Sequence, residues 1–566
     1  MRPRRPMPSA TLTVPPARPF ARLLPLTLPF VLSLAACARA GTGVTTAPEP
    51  AMQPVMQAPI QVAPPPPMPA ASDTARSDWQ RLDYDVDRVM GVGSERAIRE
   101  LLAARQPRRR VVVAVVDGGV DTAHTRLTGS LWKNPREVPG NGKDDDGNGV
   151  IDDVFGWNAL ATADGAAVRY DTFELTRLYA ACRNQPAGAL TEKPKAAECD
   201  QLASAYRDKA KEVKSTLLQV ENIDDLLRGV ERVLGTALKG APITRASVTT
   251  LRLAAPDVEE AKRLWLRLDA DGLNAAEIAK AREAYDAQAR YGLDTLFNPR
   301  STQRVVGTRD VTGPDATHGT HVAGIIGALR GDAAAMQGIA PNVDIMAVRA
   351  VPDGDERDPD VARAIRYAVD NGAQIVNMSF GKGYSPAKAS VDSAVRYAES
   401  KGVLLVHAAG NDGENNDETP SFPTPELSGG ARATNWLEVG ASSWKPLASL
   451  PAEFSNYGRQ QVDLFAPGVD ILSTVPGGGL KRESGTSMAA PVVSGVAALL
   501  MTYFPELTAM QVRDILLESV RKLPDLDVRR PGDGARVKFA TLSRTGGVID
   551  AYAAVQLALR RVAPQP

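Results

Sequence analysis

The stretch VVVAVVDGG, Val111 to Gly119, is a run of apolar, mostly β-branched residues that ends in an aspartate and two glycines. Such a run is typical of a strand that is buried on both faces of a parallel sheet. Comparable runs recur along the chain, with helical patterns between them, at Val343–Val351, Ala373–Phe380, Gly402–Gly410 and Trp436–Ser442. This alternation predicts an α/β fold, with a mostly parallel central sheet and helices on both faces.

Residues 161–300 break the alternation. They are rich in charged residues, Ala and Leu, they lack strand-like runs, and their apolar residues recur at helical spacing. We therefore expect a helical insertion at 161–300, inside an α/β domain formed by residues 76–160 and 301–560, with a short tail at 561–566.

The charge balance of the 566-residue chain is neutral, with 66 Lys and Arg against 66 Asp and Glu. A neutral balance gives no support to a nucleic-acid-binding protein. The hydrophobic content of 43% is ordinary for a globular protein and suffices for a buried core.

Residues 1–36 have the features of an export signal, a basic head followed by a short apolar segment from Leu23 to Ala36. That segment is too short to span a membrane comfortably. Its end, LAAC at Leu34–Cys37, resembles the bacterial lipobox, which implies cleavage before Cys37 and a lipid on its thiol. The alternative is an ordinary cleavage that releases a soluble secreted protein.

Residues 37–75 are rich in Pro and Ala and predict an extended tether. We expect an exported protein of the bacterial envelope, periplasmic or at the outer-membrane surface, or a secreted one, whose membrane contact is only the lipid anchor. An oxidising location also favours a disulfide between Cys182 and Cys199, and the alternative is two reduced, buried cysteines.

Four polar residues have the chemical types and positions that acyl transfer needs. Asp117 ends a strand, His318 lies in ATHGTHVAG, Asn411 follows another strand, and Ser487 precedes an apolar, small-residue helix. A serine hydroxyl attacks a carbonyl when a histidine removes its proton and a buried carboxylate orients that histidine. An asparagine amide and the serine N–H at a helix start can then bind the oxyanion.

These segments resemble the motifs of the subtilisin-like serine proteases, the subtilase family. The chain order Asp, His, Ser is the order in subtilisin. DGG at Asp117 resembles the family's Asp-Ser/Thr-Gly, HGTH at His318 its histidine motif, and GTSMAAP at Ser487 its serine motif. The resemblance covers residues 79–160 and 301–557, and a lipobox with a helical insertion would make this a lipoprotein-type bacterial member.

The resemblance implies a serine endopeptidase that acts on peptides or proteins through an acyl-enzyme, needs no cofactor for catalysis, and uses Asn411 as its oxyanion donor. An extended substrate would add as a strand beside the family's substrate-binding segment. The implied substrate-binding residues are Ser379, Phe380, Gly381 and Gly410. The chain departs from the family at Gly118, where a hydroxyl is usual, and at Lys382, where a second glycine is usual, so the specificity pocket is not carried over.

His321 lies one helical turn after His318, and we expect it to be buried and structural, because a zinc site would need further ligands. The acidic segment KDDDGNGVIDD at 143–153 resembles the first half of a calcium loop. Its candidate ligands are Asp144, Asp146, Asn148 and Asp152. We interpret it as a structural calcium site, since clustered carboxylates repel one another without a cation; the alternative is an acidic, glycine-rich turn.

A second functional hypothesis is a non-catalytic envelope scaffold that binds partners through the helical insertion. A degraded set of catalytic residues would favour it, whereas Asp117, His318 and Ser487 are all present.

Overall fold

The computed structural model describes residues 75–162, 166–188, 194–252, 255–270, 272–300, 307–330 and 336–563. The predicted export signal, Cys37 and all but the last residue of the predicted tether lie outside these ranges.

The strands are β1 (Val111–Asp117), β2 (Gly156–Asn158), β3 (Val343–Arg349), β4 (Ile375–Met378), β5 (Leu404–Ala408), β6 (Trp436–Ser442), β7 (Leu464–Pro467), β8 (Ile471–Val475), β9 (Gly479–Glu483), β10 (Arg521–Lys522), β11 (Asp527–Arg529), β12 (Arg536–Lys538) and β13 (Gly547–Val548). Nine of them form one sheet in the order β10-β13-β7-β6-β5-β4-β1-β3-β2. Every pairing in it is parallel except that of β10 with β13. The predicted α/β fold with a mostly parallel sheet is therefore confirmed.

The α-helices are α1 (Tyr84–Asp87), α2 (Ser94–Arg96), α3 (Glu174–Cys182), α4 (Ala196–Ala237), α5 (Arg245–Thr250), α6 (Pro256–Ala270), α7 (Ala275–Ala287), α8 (Thr317–Gly327), α9 (Asp358–Asp370), α10 (Lys388–Ser400), α11 (Thr486–Tyr503), α12 (Ala509–Glu518) and α13 (Ala551–Val562). Short 3-10 helices lie at Trp79–Arg81, Pro186–Gly188, Leu447–Ser449 and Phe539–Thr541, and π-helical turns at Ala97–Leu102 and Gln288–Gly292.

The side chains of β1 alternate between two apolar cores, because successive residues of a strand face opposite sides of the sheet. Val113 and Val115 pack with α8 and α11 on one face, whereas Ala114 and Val116 pack with α9 and α10 on the other. Burial on both faces is why this strand shows no polar alternation in sequence.

Helix α11 is long and apolar enough to cross a membrane by length and composition, but 94% of its residues are buried inside the protein. It is the central helix of the larger core, where it packs against β4, β5, β6 and β7. Its small residues let the backbone lie close to the sheet.

The predicted helical insertion is present, and it contains α3 to α7. Apolar residues of α4, α6 and α7 form a separate core around Leu227, Leu234, Trp265 and Ile278. The structure pairs Cys182 with Cys199, at a Cα–Cα distance of 5.8 Å, so a disulfide joins the end of α3 to the first turn of α4.

The two ends of the insertion meet beside the sheet. The backbone of Asn158 pairs with Thr308 in an antiparallel bridge, and the Gly307 N–H donates to the Ala161 carbonyl at 3.0 Å. The chain therefore leaves the α/β domain and returns to it at one place.

Candidate active site

Asp117 and His318 come together because β1 ends where α8 begins. His318 Nδ1 lies 2.8 Å from one carboxylate oxygen of Asp117 and 3.0 Å from the other. The Gly118 N–H also donates to Asp117, at 2.7 Å, so the backbone supports the carboxylate although residue 118 has no hydroxyl. A Cβ at Gly319 would lie 2.2 Å from the Gly119 carbonyl oxygen, so only glycine lets α8 approach β1 this closely.

The electrostatic surroundings of His318 favour its protonated form. Burial opposes the charge, but the Asp117 carboxylate and its hydrogen bond, together with the charges of Glu483 and Asp315, raise the pKa of His318 to about 9. The side chain is still 41% exposed, so it lies in a cleft that solvent can enter.

Ser487 lies in the first turn of α11, where the helix dipole favours negative charge. Its hydroxyl donates to the Ser379 carbonyl oxygen at 3.1 Å. Turning this side chain about its Cα–Cβ bond would free the hydroxyl for a base, and catalytic hydrogen bonds often form only when substrate is bound.

The Asn411 side chain is held with its amide nitrogen free to donate, since its carbonyl oxygen accepts from the Thr486 N–H (2.8 Å) and the Thr486 hydroxyl (3.0 Å). A Cβ placed on Gly485 would lie 3.5 Å from Asn411 Nδ2 and 3.6 Å from the Ser487 backbone nitrogen. The missing side chain of Gly485 thus leaves space beside two N–H donors, an arrangement that can bind an oxyanion.

A buried chain of hydrogen bonds supports the turn that carries Ser487. The Ser494 hydroxyl donates to Asn377, the Asn377 amide donates to the Ser379 hydroxyl, and that hydroxyl donates to the Ser487 carbonyl oxygen, at 2.8, 2.9 and 2.9 Å. Sequence reasoning did not identify Asn377 and Ser494 as site residues. The available signal was a polar residue within otherwise apolar β4 and α11.

Three of the residues predicted to bind substrate differ in their exposure and in the backbone groups that they leave free. Gly381 is exposed, whereas the Phe380 side chain packs toward the core. The Gly410 N–H donates to Thr486 and its carbonyl accepts from Asn456, so Gly410 can line a site but has no free backbone group for a substrate strand.

Lys382, which follows the predicted substrate-binding segment, is buried in an ionic cluster. Its ammonium lies 2.8 Å from carboxylate oxygens of both Glu174 and Asp358, and it donates to the Glu356 carbonyl at 2.7 Å. Arg177 pairs with the same Glu174 at 2.8 Å. The Glu174 and Asp358 carboxylates raise the pKa of Lys382 despite its burial and the opposing charge of Arg177, so Lys382 is a fixed cation.

His321 is fully buried, and its Nε2 donates to the Lys481 carbonyl at 3.0 Å. Burial lowers the pKa of His321 to about 4. The two histidines of ATHGTHVAG therefore differ, since His318 faces a carboxylate in the cleft and His321 ties α8 to β9.

The acidic loop is arranged differently from the predicted calcium ligand set. Within the residues that the structure describes, the carboxylates close enough to share a metal ion are those of Glu137, Asp146 and Asp153, with ligand atoms within 4.8 Å of one another. Asp144 instead accepts backbone N–H groups at 147–149. Asp152 accepts from the backbone at 140 and 142 and pairs with Arg309 at 2.5 Å.

The remaining predicted ligand, Asn148, lies beside this cluster and donates its amide to Asp153 at 2.8 Å. Glu137 is 6% exposed, and its Oε2 has no hydrogen-bond partner among the described residues. Burial raises the pKa of Asp153, with the Asp146 charge adding to the effect. A hard cation with oxygen ligands would fit this set.

A known protein family and several curated proteins are similar to this chain. The subtilase family model matches residues 108–534. The thermophilic serine proteinase of Bacillus sp. (strain AK1) is 44% identical over 185 residues, 32% of this chain and 42% of that protein. Subtilisin BL of Lederbergia lenta is 37% identical over 208 residues, 36% of this chain and 71% of that protein.

The cell wall-associated protease of Bacillus subtilis (strain 168) is 38% identical over 212 residues, 37% of this chain and 22% of that protein. Among solved structures, the protease domain of PatA is 32% identical, with 44% of this chain and 82% of that chain covered and a TM-score of 0.34. The matched part of this chain spans less than half of the length of the thermophilic serine proteinase.

Proposed function

Because this chain belongs to the subtilase family, we propose that it is a serine endopeptidase that uses Asp117, His318 and Ser487 as its catalytic triad. The observation that carries the proposal is the hydrogen bond of 2.8 Å between His318 and Asp117. A serine at a helix start and an oriented asparagine amide support it.

In the proposed reaction, His318 Nε2 takes the proton of the Ser487 hydroxyl as its oxygen bonds to the scissile carbonyl carbon. Asn411 Nδ2 and the Ser487 N–H bind the oxyanion. His318 then gives the proton to the leaving amine as the C–N bond breaks. Water releases the acyl group by the same two proton transfers, and Asp117 stabilises the imidazolium in each step.

The test of this function is labelling with a fluorophosphonate, which reacts with activated serines. We expect the folded protein to be labelled, and Ser487→Ala to remove the label. A folded protein without Ser487-dependent labelling would contradict the peptidase proposal and leave the scaffold hypothesis.

The location proposed is outside the cytoplasm, at the cell envelope or in the medium. The apolar segment and LAAC at Leu34–Cys37 support export with a lipid on Cys37, and a curated relative is named as cell wall-associated. The Cys182–Cys199 pairing also suits an oxidising compartment. Radiolabelled palmitate incorporation that persists in Cys37→Ala would contradict the lipid at this position.

The ion proposed for the acidic loop is a structural calcium, held by Glu137, Asp146 and Asp153 rather than by Asp144 and Asp152. The buried Oε2 of Glu137, which has no hydrogen-bond partner among the described residues, supports this choice. The proposed role is to stabilise the loop, and no catalytic step passes through the ion.

A further inference from the structure

The predicted substrate-binding segment, Ser379 to Gly381, is fixed on both sides. On one side Ser379 bonds twice to Ser487, because its carbonyl oxygen accepts from the Ser487 hydroxyl and its own hydroxyl donates to the Ser487 carbonyl oxygen. On the other side the Lys382 N–H donates to the Phe422 carbonyl at 3.0 Å, and the Phe422 N–H donates to the Lys382 carbonyl at 2.8 Å. The position of Lys382 therefore determines where the segment ends.

The side chain of Lys382 leads from this segment to the helical insertion. Its ammonium lies 2.8 Å from Glu174, the first residue of α3, and 2.8 Å from Asp358, the first residue of α9. These three side chains are at most 4% exposed. The ammonium also donates to the Glu356 carbonyl at 2.7 Å. Partners from α3, from α9 and from the loop before α9 thus hold one lysine.

Glu174 is itself held from several directions. Its backbone N–H donates to the Asp355 carboxylate at 2.8 Å. Its own carboxylate accepts from Arg177 Nη2 at 2.8 Å, and the same nitrogen donates to the carbonyls of Asp355 and Glu356 at 3.2 and 3.3 Å. Because breaking a buried pair leaves an uncompensated charge, the first turn of α3 cannot shift without disturbing Lys382.

Lys382 and α3 are both points at which this chain departs from the family pattern that its motifs follow. A second glycine is usual where Lys382 stands, and α3 belongs to the helical insertion at 161–300. A glycine at position 382 would have no side chain to reach α3. The two departures are in direct contact, which favours a shared role for them in this chain.

We propose that Glu174 and Lys382 are positioning residues, through which α3 of the helical insertion holds the substrate-binding segment where it can pair with a substrate strand. This rests on the proposed peptidase function, and it gives the insertion a part in substrate binding. Both side chains are buried, so they act through the backbone of the segment, whose groups must be aligned to pair with an extended peptide.

The experiment compares three reactions of each variant, which are hydrolysis of an extended peptide, hydrolysis of p-nitrophenyl acetate and labelling with a fluorophosphonate. The peptide is chosen from wild-type digests of an unfolded protein. In Lys382→Met and in Glu174→Gln we expect KM for the peptide to rise by about tenfold with little change in kcat, because pairing weakens equally before and in the transition state. The two small reagents do not pair along the segment, so their rates should stay within about twofold of the wild type.

A double variant keeps the test valid if a lone buried charge prevents folding. Lys382→Met combined with Glu174→Gln replaces both partners by neutral side chains of similar shape, a change that costs a folded protein little. We expect the double variant to unfold at a Tm near that of the wild type and to keep the rise in peptide KM of about tenfold.

The matched control is Asp360→Asn, which also converts a buried carboxylate to an amide. Asp360 of α9 is 2% exposed and pairs with Arg300 of the insertion, so this variant too breaks a buried link between the insertion and the α/β domain. The other partner of Asp360 is Arg363, on the same helix. Peptide KM in the control should therefore match the wild type.

A wild-type peptide KM in the folded double variant would overturn the proposal, and so would an equal rise of KM in Asp360→Asn. Labelling that falls in parallel with peptide hydrolysis would also contradict it, because the defect would then lie at Ser487 and not in the segment. A folded wild type that is not labelled at all would instead contradict the peptidase function itself.

Discussion

The protonation state of His318 controls the proposed chemistry, because only neutral imidazole can accept the Ser487 proton. Asp117 is the nearest carboxylate, and Glu483 and Asp315 add negative potential. These groups hold the proton on His318 at neutral pH. At the residue scale, therefore, the pKa of one imidazole sets the pH range in which the proposed reaction can proceed.

We expect kcat/KM to rise with pH up to a midpoint near 9, the pKa of His318. Glu483→Gln should move this midpoint to lower pH, because it removes a charge that favours the imidazolium. The measurement is a pH profile of peptide hydrolysis, and the control is Glu260→Lys, which reverses an exposed charge on α6. A midpoint that does not move in Glu483→Gln would contradict the assigned influence of that carboxylate.

The same raised pKa has a consequence for stability. A group whose pKa is higher in the folded than in the unfolded state stabilises the fold at pH values below its unfolded pKa. That contribution is lost as the pH rises through about 9, so the pH range of greatest activity is not the range of greatest stability.

At the scale of elements, the start of α11 combines three functions in one turn. Gly485 leaves space and Thr486 orients Asn411, while in the proposed mechanism Ser487 would supply the hydroxyl and one oxyanion donor. The buried chain from Ser494 through Asn377 fixes this turn relative to β4. Because these roles share one helix end, a small change there affects catalysis before it affects folding.

Gly485→Ala should fold but lose turnover. The new methyl group would lie at ordinary contact distance from Asn411 and Ser487, in the space assigned to the oxyanion. We expect kcat to fall by about 10²–10³, the usual effect of losing one oxyanion donor. Gly229→Ala in α4 is the control, since a Cβ there meets nothing within 4 Å. Unchanged kcat in Gly485→Ala, with thermal stability matching the control, would refute the oxyanion assignment.

At the scale of the whole molecule, we expect stability to depend on the acidic loop at 143–153. The acidic loop packs beside β2 and α9, and the Tyr367 hydroxyl donates to Asp153 at 2.5 Å. Arg136 pairs with Asp146 at 3.1 Å, but three close carboxylates still repel one another unless a further cation compensates them. A calcium ion bound here would therefore stabilise the α/β domain as a unit.

Removal of calcium with a chelator should lower the Tm of the full chain by a few degrees. Calcium at a hundred times its Kd stabilises a folded protein by about 2.7 kcal/mol. In Glu137→Gln this dependence on calcium should be lost, whereas in Asp144→Asn it should persist, because Asp144 binds backbone N–H groups. Thermal unfolding with and without calcium is the measurement, and equal calcium dependence in both variants would contradict the ligand set.

Local sequence patterns predicted much of this architecture, because buried strands require runs of apolar residues and the proposed chemistry requires particular residue types. The valines of β1 revealed a strand buried on both faces, and the histidine and serine motifs lie on the elements expected for them. Contacts between distant segments could not be predicted in this way. The Lys382–Glu174 pair joins residues 208 positions apart, and nothing near Lys382 in the chain indicates its partner.

The proposed calcium ligand set shows that contacts between residues close in the chain can also escape prediction from sequence. Spacing alone suggested Asp144 and Asp152, but the turn directs these carboxylates to backbone N–H groups and brings Glu137 into the cluster instead. Which acids converge depends on the backbone path of the loop, and composition does not determine that path.

The meeting of the insertion's two ends, where Asn158 pairs with Thr308, has a consequence for the history of the chain. Because the helical insertion starts and ends at one point, its length does not change the distance between the flanking segments of the α/β domain. The insertion can therefore be exchanged as a unit. Ancestral or engineered relatives could therefore gain, lose or exchange the helices between Ala161 and Gly307 in a single genetic event while retaining the same catalytic framework.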